Sequence, residues 1–292
     1  SPQNQSLPRP KAVCLPLALI SRMGIIKNTY RQLLGGPSFR KFNEHLIQWA
    51  YTGLGVGNYE NDRISGELPF VQRYLNPKRY ASGIVLDVGA NIGHYASALH
   101  QANPLLEILA FEPHPRTFEV LKRNTLSNSQ IRCFPFGFGQ EQGTHTLFDH
   151  GGEEGTEHAS LHQGALLHAG YRQEETQTVQ ITLDTIDQFL ASQGIDKVLF
   201  LKIDTEGHEY AVLQGAKQAL QEGRIQWIQF EFNEMNVASR VFFKDFWDLL
   251  REYRLFRLGP QGLMPIPRYS VADCEVFRCQ NFVAAHRTVV MP

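Results

Sequence analysis

The sequence predicts an α/β fold in which helices cover both faces of a mostly parallel sheet. From about residue 83 onward, short apolar runs of strand length alternate with segments of helical periodicity. The first run, Ile84–Val88, is apolar at nearly every position, which is typical of a strand buried on both faces. A glycine-containing turn at residues 89–93 follows this strand and leads into a helix. In open α/β sheets such a turn is where ligands bind.

The composition of the chain indicates which partners and which cellular location to expect. The 292 residues carry a net charge of -1, which provides no basic excess for a nucleic-acid partner. The four cysteines form no CxxC pair, so reduced thiols and a cytoplasmic location are expected. The apolar stretch at residues 12–26 is too short to span a bilayer, so no transmembrane segment is expected. A packed helix is favoured there over an interfacial anchor. The oligomeric state is not predicted.

The region before the alternating pattern is predicted to be a helical extension, residues 1–80, preceding a catalytic domain, residues 81–292. Residues 1–12 are polar and rich in proline. Residues 39–51 place apolar side chains at helical spacing. Residues 69–75 form a second short helix that ends before Pro77.

The catalytic domain contains seven predicted strands in its main sheet. They cover residues 84–88, 106–111, 131–138, 197–203, 225–232, 255–258 and 281–286. The helices between them are expected at residues 93–101, 115–126, 209–221 and 240–253. An insertion after the third strand contributes two more strands, at 144–148 and 176–182. Its centre, residues 149–175, is rich in Gly, Glu and His and is predicted to be a mobile substrate lid.

The turn after the first strand differs from a dinucleotide fingerprint. Ala90 and Asn91 break the GxGxxG spacing, which disfavours an NAD enzyme. Asp87 would repel a pyrophosphate, but it suits a cofactor with a cationic amino acid portion, namely S-adenosylmethionine (SAM). Gly89 and Gly93 would let the backbone approach that cofactor. The alternative interpretation is a capping carboxylate and a tight turn without a ligand.

Glu112 ends the second strand, 19 residues after Gly93. An acid at this position can accept hydrogen bonds from both ribose hydroxyls. Its alternative role is a charge at a helix N-terminus. The order strand, turn, helix, strand and acid is stronger evidence for a nucleoside-containing cofactor than either motif alone.

Four segments together resemble the FkbM family of SAM-dependent methyltransferases. They are VLDVGANIG (85–93), FEPHP (111–115), TLDTIDQF (182–189) and LKIDTEGHEYAVLQGA (201–216). The resemblance implies a Rossmann-like class I methyltransferase fold with a seven-stranded sheet whose last strand is antiparallel. It also implies O-methylation of a hydroxyl on a sugar or secondary metabolite.

The resemblance assigns cofactor roles residue by residue. It implies that the methionine part of SAM contacts the first motif and that the ribose contacts Glu112. Residues 136–139 depart from the family pattern at the end of the third strand, where the adenine would lie. The complete expected cofactor set is Asp87, Gly89, Asn91, Gly93, Glu112, Phe138 and Asp204.

The catalytic candidates follow the fourth and fifth strands. His208 has the intrinsic pKa best suited to remove a proton from a hydroxyl near neutrality. Asp204 and Glu206 could orient it, hold the SAM amine or bind a divalent metal, whose use is left open. Glu231 and Glu234 could join the same site. Helix capping is the structural alternative for the residues at 204–208.

Two other functions remain open at this stage. One is N- or C-methylation on the same fold, because the fold does not choose the acceptor atom. The other is a catalytically silent SAM-binding module, against which the intact acidic cluster at residues 204–209 argues. The expected partner of the methyltransferase is a small-molecule or glycan acceptor, whereas a silent module would act as a partner or scaffold.

Overall fold

The computed structural model describes residues 17–149, 159–162 and 177–291. The described residues form eleven strands: β1 Ile84–Val88, β2 Glu107–Phe111, β3 Ile131–Phe134, β4 Gly137–Phe138, β5 Gly143–Asp149, β6 Gln177–Asp184, β7 Val198–Ile203, β8 Ile225–Phe232, β9 Tyr253–Gly259, β10 Gly262–Pro265 and β11 Gln280–His286. Most of the predicted lid, residues 149–175, lies outside these ranges.

The same parts of the chain form eleven α-helices: α1 Leu17–Leu34, α2 Arg40–Gly53, α3 Glu67–Tyr74, α4 His94–Ala102, α5 Pro115–Thr125, α6 Ile186–Gln193, α7 Glu209–Gln214, α8 Lys217–Gln221, α9 Met235–Ser239, α10 Phe243–Leu249 and α11 Val271–Cys274. A 3₁₀ turn, Pro37–Phe39, precedes α2. None of the helices described is long and apolar enough to cross a membrane.

The main sheet has the order β3-β2-β1-β7-β8-β11-β9-β10. Its strands β3, β2, β1, β7 and β8 are parallel, whereas β11 is antiparallel to both of its neighbours. The α/β class and the antiparallel last strand are therefore confirmed. An eighth strand, β10, extends the predicted seven as an antiparallel hairpin with β9.

Helices cover both faces of this sheet, as the apolar strands require. Helices α3, α4 and α5 pack on one face, where Phe70 meets Trp227 edge to face at 5.7 Å. Helices α6, α7, α8 and α10 pack on the other, where Phe230 stacks on Phe246 at 4.6 Å. With both faces covered, the carboxyl ends of the parallel strands remain as the edge at which a ligand can bind.

A second, three-stranded sheet has the order β4-β6-β5. The predicted strand 131–138 was wrong as one element, because it divides between the two sheets. Pro135 stands at the division and has no N–H for a strand ladder, so β3 ends before it. Strand β4 then pairs with β6, placing Phe138 opposite Asp184.

The predicted helix 209–221 also divides, into α7 and α8. A Cβ at Gly215 would lie 2.0 Å from the carbonyl oxygen of Gly139, so the helix passes close to another segment at this position. Asp187 accepts hydrogen bonds from the N–H groups of Gln218 and Ala219 at 2.8 and 2.9 Å. These contacts satisfy the free N-terminal donors of α8, which stabilises its separate start.

The chain divides into two compact units, residues 1–50 and 51–292. The boundary between these two units lies before α3, whereas the helical extension predicted from the sequence runs to residue 80. The end of the extension at residue 80 stays a prediction. Within the apolar stretch 12–26, side chains are described from residue 24 onward, and there Ile25 and Ile26 are 66% and 67% exposed. Packing of the earlier part of this stretch stays a prediction.

Candidate active site

The turn after β1 has the backbone conformation that its glycines predict. Gly89, Asn91 and Gly93 all have positive φ, at 78°, 47° and 89°. A Cβ at Gly89 would lie 1.7 Å from the carbonyl oxygen of Asp204, so only glycine fits there. At Gly93 a Cβ would lie 2.8 Å from Leu121, where α4 begins against α5. Both glycines are thus required by the packing of the protein itself.

Glu112 lies at the end of β2, beside this turn. Its two carboxylate oxygens accept hydrogen bonds from the N–H groups of Asn91 at 3.0 Å and His114 at 2.8 Å. Burial raises the pKa of Glu112 to about 7, against the lowering effect of these two bonds. Each oxygen retains capacity to accept another hydrogen bond.

A cleft opens at the carboxyl ends of the central strands and has three walls. One wall comes from the β1 and β2 ends: Gly89, Asn91, Glu112, Pro113 and His114. A second, mainly apolar wall comes from the small sheet and its neighbourhood: Gly137, Phe138, Leu147, Ala159, Leu161, Ile181 and Leu183. The third follows β7: Asp204, Thr205, Glu206 and His208. Most of the predicted site residues therefore meet at one edge of the sheet.

Of the predicted site residues, Asp87, Gly93 and Glu231 do not line this cleft. Asp87 is fully buried in β1, and neither of its carboxylate oxygens has a hydrogen-bond partner in the described part of the chain. Burial raises the pKa of Asp87 to about 6, and the charge of Lys202 counteracts part of that rise. Register places these two residues opposite each other on β1 and β7.

Lys202 interacts both with the buried carboxylate of Asp87 and with Asp204 in the cleft wall. Its ammonium donates a 2.9 Å hydrogen bond to Asp204 and lies 4.7 Å from the centre of the Tyr95 ring. Burial alone would lower the pKa of Lys202, but three carboxylates outweigh it and raise that pKa. They belong to Asp204, Asp87 and Glu67.

The loop after β7 is held by Glu209. One of its oxygens accepts hydrogen bonds from the Thr205 N–H at 2.9 Å, the Thr205 hydroxyl at 3.1 Å and the Gly207 N–H at 3.1 Å. Glu206 has a positive φ of 53° in this loop, and its carbonyl accepts a 2.7 Å bond from the Ser160 hydroxyl. The loop is thereby fixed with Asp204 and Glu206 along the cleft.

His208 lines the cleft at the start of α7. Its Nε2 is buried and has no hydrogen-bond partner among residues that the structure describes. Burial lowers the pKa of His208 to about 4, with further lowering by His162 and His145. The rings of His208 and His162 are 5.8 Å apart. The ring is thus neutral at physiological pH, and the side chains that lower its pKa beyond the effect of burial are histidines, not Asp204 or Glu206.

Glu231 lies near the end of β8, next to the strand that ends before Asp204. Asn233 donates a 2.7 Å hydrogen bond to one of its oxygens, and the Cys279 thiol donates a 2.9 Å bond to the other. Burial raises the pKa of Glu231 well above its ordinary value, and the charges of Asp204 and Glu206 raise it further. The pKa of Glu231 is therefore raised, whereas the pKa of His208, the base expected from the sequence, is lowered.

The structure also brings His114 and Asp149 to the cleft region, which the sequence analysis missed. His114 Nδ1 accepts a 3.4 Å hydrogen bond from the Thr117 N–H, so Nε2 carries the proton. That Nε2 lies 3.4 Å from a carboxylate oxygen of Asp149. A signal was present in FEPHP, where a histidine follows Glu112 by two residues. Within the described ranges no group of three or more His, Cys, Asp or Glu side chains could hold a metal ion.

Comparison with known proteins identifies a matching family model. The model of the methyltransferase FkbM domain matches residues 87–258. Similar curated proteins include the 2-O-methyltransferase NoeI of Sinorhizobium fredii, 23% identical over 62% of this chain and 76% of that protein. The hexuronic acid methyltransferase AglP of Haloferax volcanii is 28% identical over 63% of this chain and 68% of its own length.

Other similarities cover less of the relative or are more distant. The 31-O-demethyl-FK506 methyltransferase FkbM of Streptomyces tacrolimicus is 26% identical over 47% of this chain and 60% of that protein. Among solved structures, a methyltransferase FkbM from Methylobacillus flagellatus aligns over 83% of this chain and 60% of that one. Its identity is 13% and its TM-score is 0.42.

Proposed function

Because the chain belongs to the FkbM methyltransferase family, we propose that it transfers the methyl group of SAM to a hydroxyl of a small molecule or glycan. The names of two relatives specify an oxygen as the methylated atom, and a third relative acts on a hexuronic acid. These names support O-methylation over N- or C-methylation. An acceptor rich in hydroxyl groups follows from the same comparison.

The observation that carries this proposal is the environment of Glu112. Its carboxylate is fixed by two backbone N–H groups at the cleft wall, directly beside the Asn91 turn. It can accept hydrogen bonds from ribose hydroxyls without moving. Pro113 and Phe138 offer apolar surface for an adenine, and the half-exposed Asp204 offers a carboxylate for the amino group. The residues present therefore fit SAM, which supplies an activated methyl group.

Asp87 and Gly93 receive supporting roles in this proposal. Asp87 faces Lys202 within the sheet, so it contributes to the charge balance that holds Asp204. Gly93 allows α4 to begin close to α5. Neither residue needs to touch the cofactor for its identity to matter.

We propose that His208 accepts the proton of the hydroxyl, because His208 lines the cleft and its buried Nε2 has no hydrogen-bond partner among the described residues. The lowered pKa of His208 keeps the ring neutral and able to accept, but it also makes the ring a weak base. Glu231 is the second candidate, since its raised pKa makes its carboxylate a stronger base. Removal of the proton matters because a neutral hydroxyl is a poor nucleophile.

We also propose that nucleic acid is not the acceptor and that the protein is located in the cytoplasm. The acidic cleft residues Glu112, Asp204 and Glu206 would repel a phosphate backbone. The thiols of Cys133, Cys274 and Cys279 are free, which suits a reducing compartment. Subcellular fractionation followed by thiol labelling of the native protein would test the location.

The experiment for the proposed function is a turnover assay with SAM. Candidate acceptors are hexuronic acids, oligosaccharides and hydroxylated secondary metabolites. Formation of S-adenosylhomocysteine, followed by NMR of the product, identifies the methylated atom. An O-methyl group supports the proposal, and an N- or C-methyl group corrects it. SAM binding without turnover on any of these acceptors would support the silent module instead.

A further inference from the structure

The two N-terminal helices expose large apolar side chains, several of which share a face of their helix. In α1, Ile26, Tyr30 and Leu33 follow the spacing of neighbouring helical turns. In α2, Phe42 and Trp49 lie two turns apart on the same stripe. No side chain of α2, which the structure describes in full, is buried. Side chains that are 40% exposed or more include Ile25, Ile26, Tyr30, Leu33, Phe39, Phe42, Ile47 and Trp49.

The two helices are tied together by Asn43. Its side-chain amide donates a 2.8 Å hydrogen bond to the carbonyl oxygen of Leu34 at the end of α1. Its carbonyl oxygen accepts a hydrogen bond from the hydroxyl of Tyr30. The pair is thus a defined helical hairpin rather than two independent segments. An apolar surface of this extent on a defined element marks an interaction site.

The charge of the chain is divided sharply between its two compact units. Residues 1–50 contain seven Lys and Arg and one Glu, a net charge of +6. The remaining residues, 51–292, contain 21 Lys and Arg and 28 Asp and Glu, a net charge of -7. Lys27, Arg31, Arg40 and Lys41 lie on the two helices themselves. The net charge of -1 for the whole chain therefore hides a strongly basic N-terminal segment.

We propose that α1 and α2 lie on an anionic lipid surface, with their apolar stripes in the headgroup region. Apolar and aromatic side chains next to Lys and Arg are the composition of helices that bind at a membrane interface. Nucleic acid would match the charge but leave Ile26, Leu33 and Trp49 in water. A second copy of residues 1–50 would place +6 against +6, which opposes pairing.

The test uses the full chain and phospholipid vesicles in a flotation assay. Vesicles of phosphatidylcholine with phosphatidylserine should bind the protein, and vesicles of phosphatidylcholine alone should bind it at least about tenfold less well. Raising the salt concentration should release it. The triple variant Ile26→Ser, Leu33→Ser, Trp49→Ser should lower binding by at least about tenfold. Leu126→Ser is the matched control, because Leu126 is 86% exposed but lies outside the hairpin.

Three outcomes would overturn the inference. The wild-type protein fails to bind phosphatidylserine vesicles, or the triple variant binds them as well as the wild type does. The third is a wild-type dimer in light scattering that the triple variant abolishes, which would assign the surface to a second copy. Because the three substituted side chains are exposed, circular dichroism should show that the variant remains folded.

Discussion

Lys202 donates its 2.9 Å hydrogen bond to Asp204 from a buried position, while Asp87 faces it across the neighbouring strand. A single ammonium therefore compensates carboxylates both inside the sheet and at the cleft. Removing the Lys202 ammonium would therefore leave these carboxylates without a balancing positive charge. The following predictions concern this arrangement and the cleft that depends on it.

Lys202→Met should destabilise the protein by about 3–5 kcal/mol, because a buried charge without its partner is costly. Urea unfolding followed by circular dichroism measures the change. Lys197→Met is the matched control, since Lys197 is exposed just before the same strand, and it should change stability by less than about 0.5 kcal/mol. Equal stability of the two variants would show that the Lys202 charge is not needed.

Gly89→Ala should cost at least about 2 kcal/mol of folding stability, because alanine at a φ of 78° is strained and its Cβ would meet the Asp204 carbonyl oxygen. Gly36→Ala is the control. Its φ is -83°, and a Cβ there would meet no atom within 4 Å. Thermal unfolding compares the two. If Gly89→Ala were as stable as the control, the close approach of the two backbone segments would be incorrect.

SAM affinity should rise by up to about tenfold between pH 6 and pH 8. The pKa of Glu112 is raised to about 7, so most of this carboxyl is protonated at pH 6 and ionised at pH 8. The ionised form is the stronger hydrogen-bond acceptor for hydroxyls. Calorimetric titration at the two pH values measures the change. Glu112→Gln should abolish the dependence, and a variant that keeps it would assign the titration to another group.

His208→Ala should lower kcat by about 10²–10⁴-fold while leaving SAM affinity near that of the wild type. The control is His94→Ala, because His94 is exposed at the start of α4. A base must be deprotonated to act, so kcat/KM falls as the pH drops through its pKa. If His208 is the base, this fall in kcat/KM lies near pH 4. If Glu231 is the base, the fall lies above the ordinary carboxyl range. A fall well above the ordinary carboxyl range, with full activity in His208→Ala, would transfer the role to Glu231.

Local sequence signals were sufficient for the centre of the fold. The bounds of β1 and β8 agree with the predicted residues, because β1 is nearly all apolar and β8 carries large apolar side chains at most positions, each between clear breaks. The acid at the end of β2 could be placed beside the glycine turn because parallel strands end at one edge. The contact between Glu112 and Asn91 is the result.

The features that the sequence did not predict depend on contacts between segments that are far apart in sequence. No local sequence pattern encodes such contacts. The break in the helix at Gly215 depends on the Gly139 backbone, which is far away in sequence. Burial, His162 and His145 lower the pKa of His208, and both of these histidines are distant in sequence. The acidic residues next to His208 in sequence had suggested a carboxylate environment instead. The exposure of Trp49 could not follow from helical spacing, because a buried stripe and an exposed stripe have the same period.

The most direct test of the account is calorimetric titration of SAM into the wild type, Glu112→Ala and Glu107→Ala. Glu107 is the matched acid, because it begins the same strand and is partly exposed in an ion pair with Arg132. We expect the wild type and Glu107→Ala to bind SAM with the same affinity. Glu112→Ala should bind it about 1–3 kcal/mol more weakly, the cost of losing charge-assisted hydrogen bonds. A wild-type protein that does not bind SAM, or a Glu112→Ala variant that binds it as tightly as Glu107→Ala, would contradict the account.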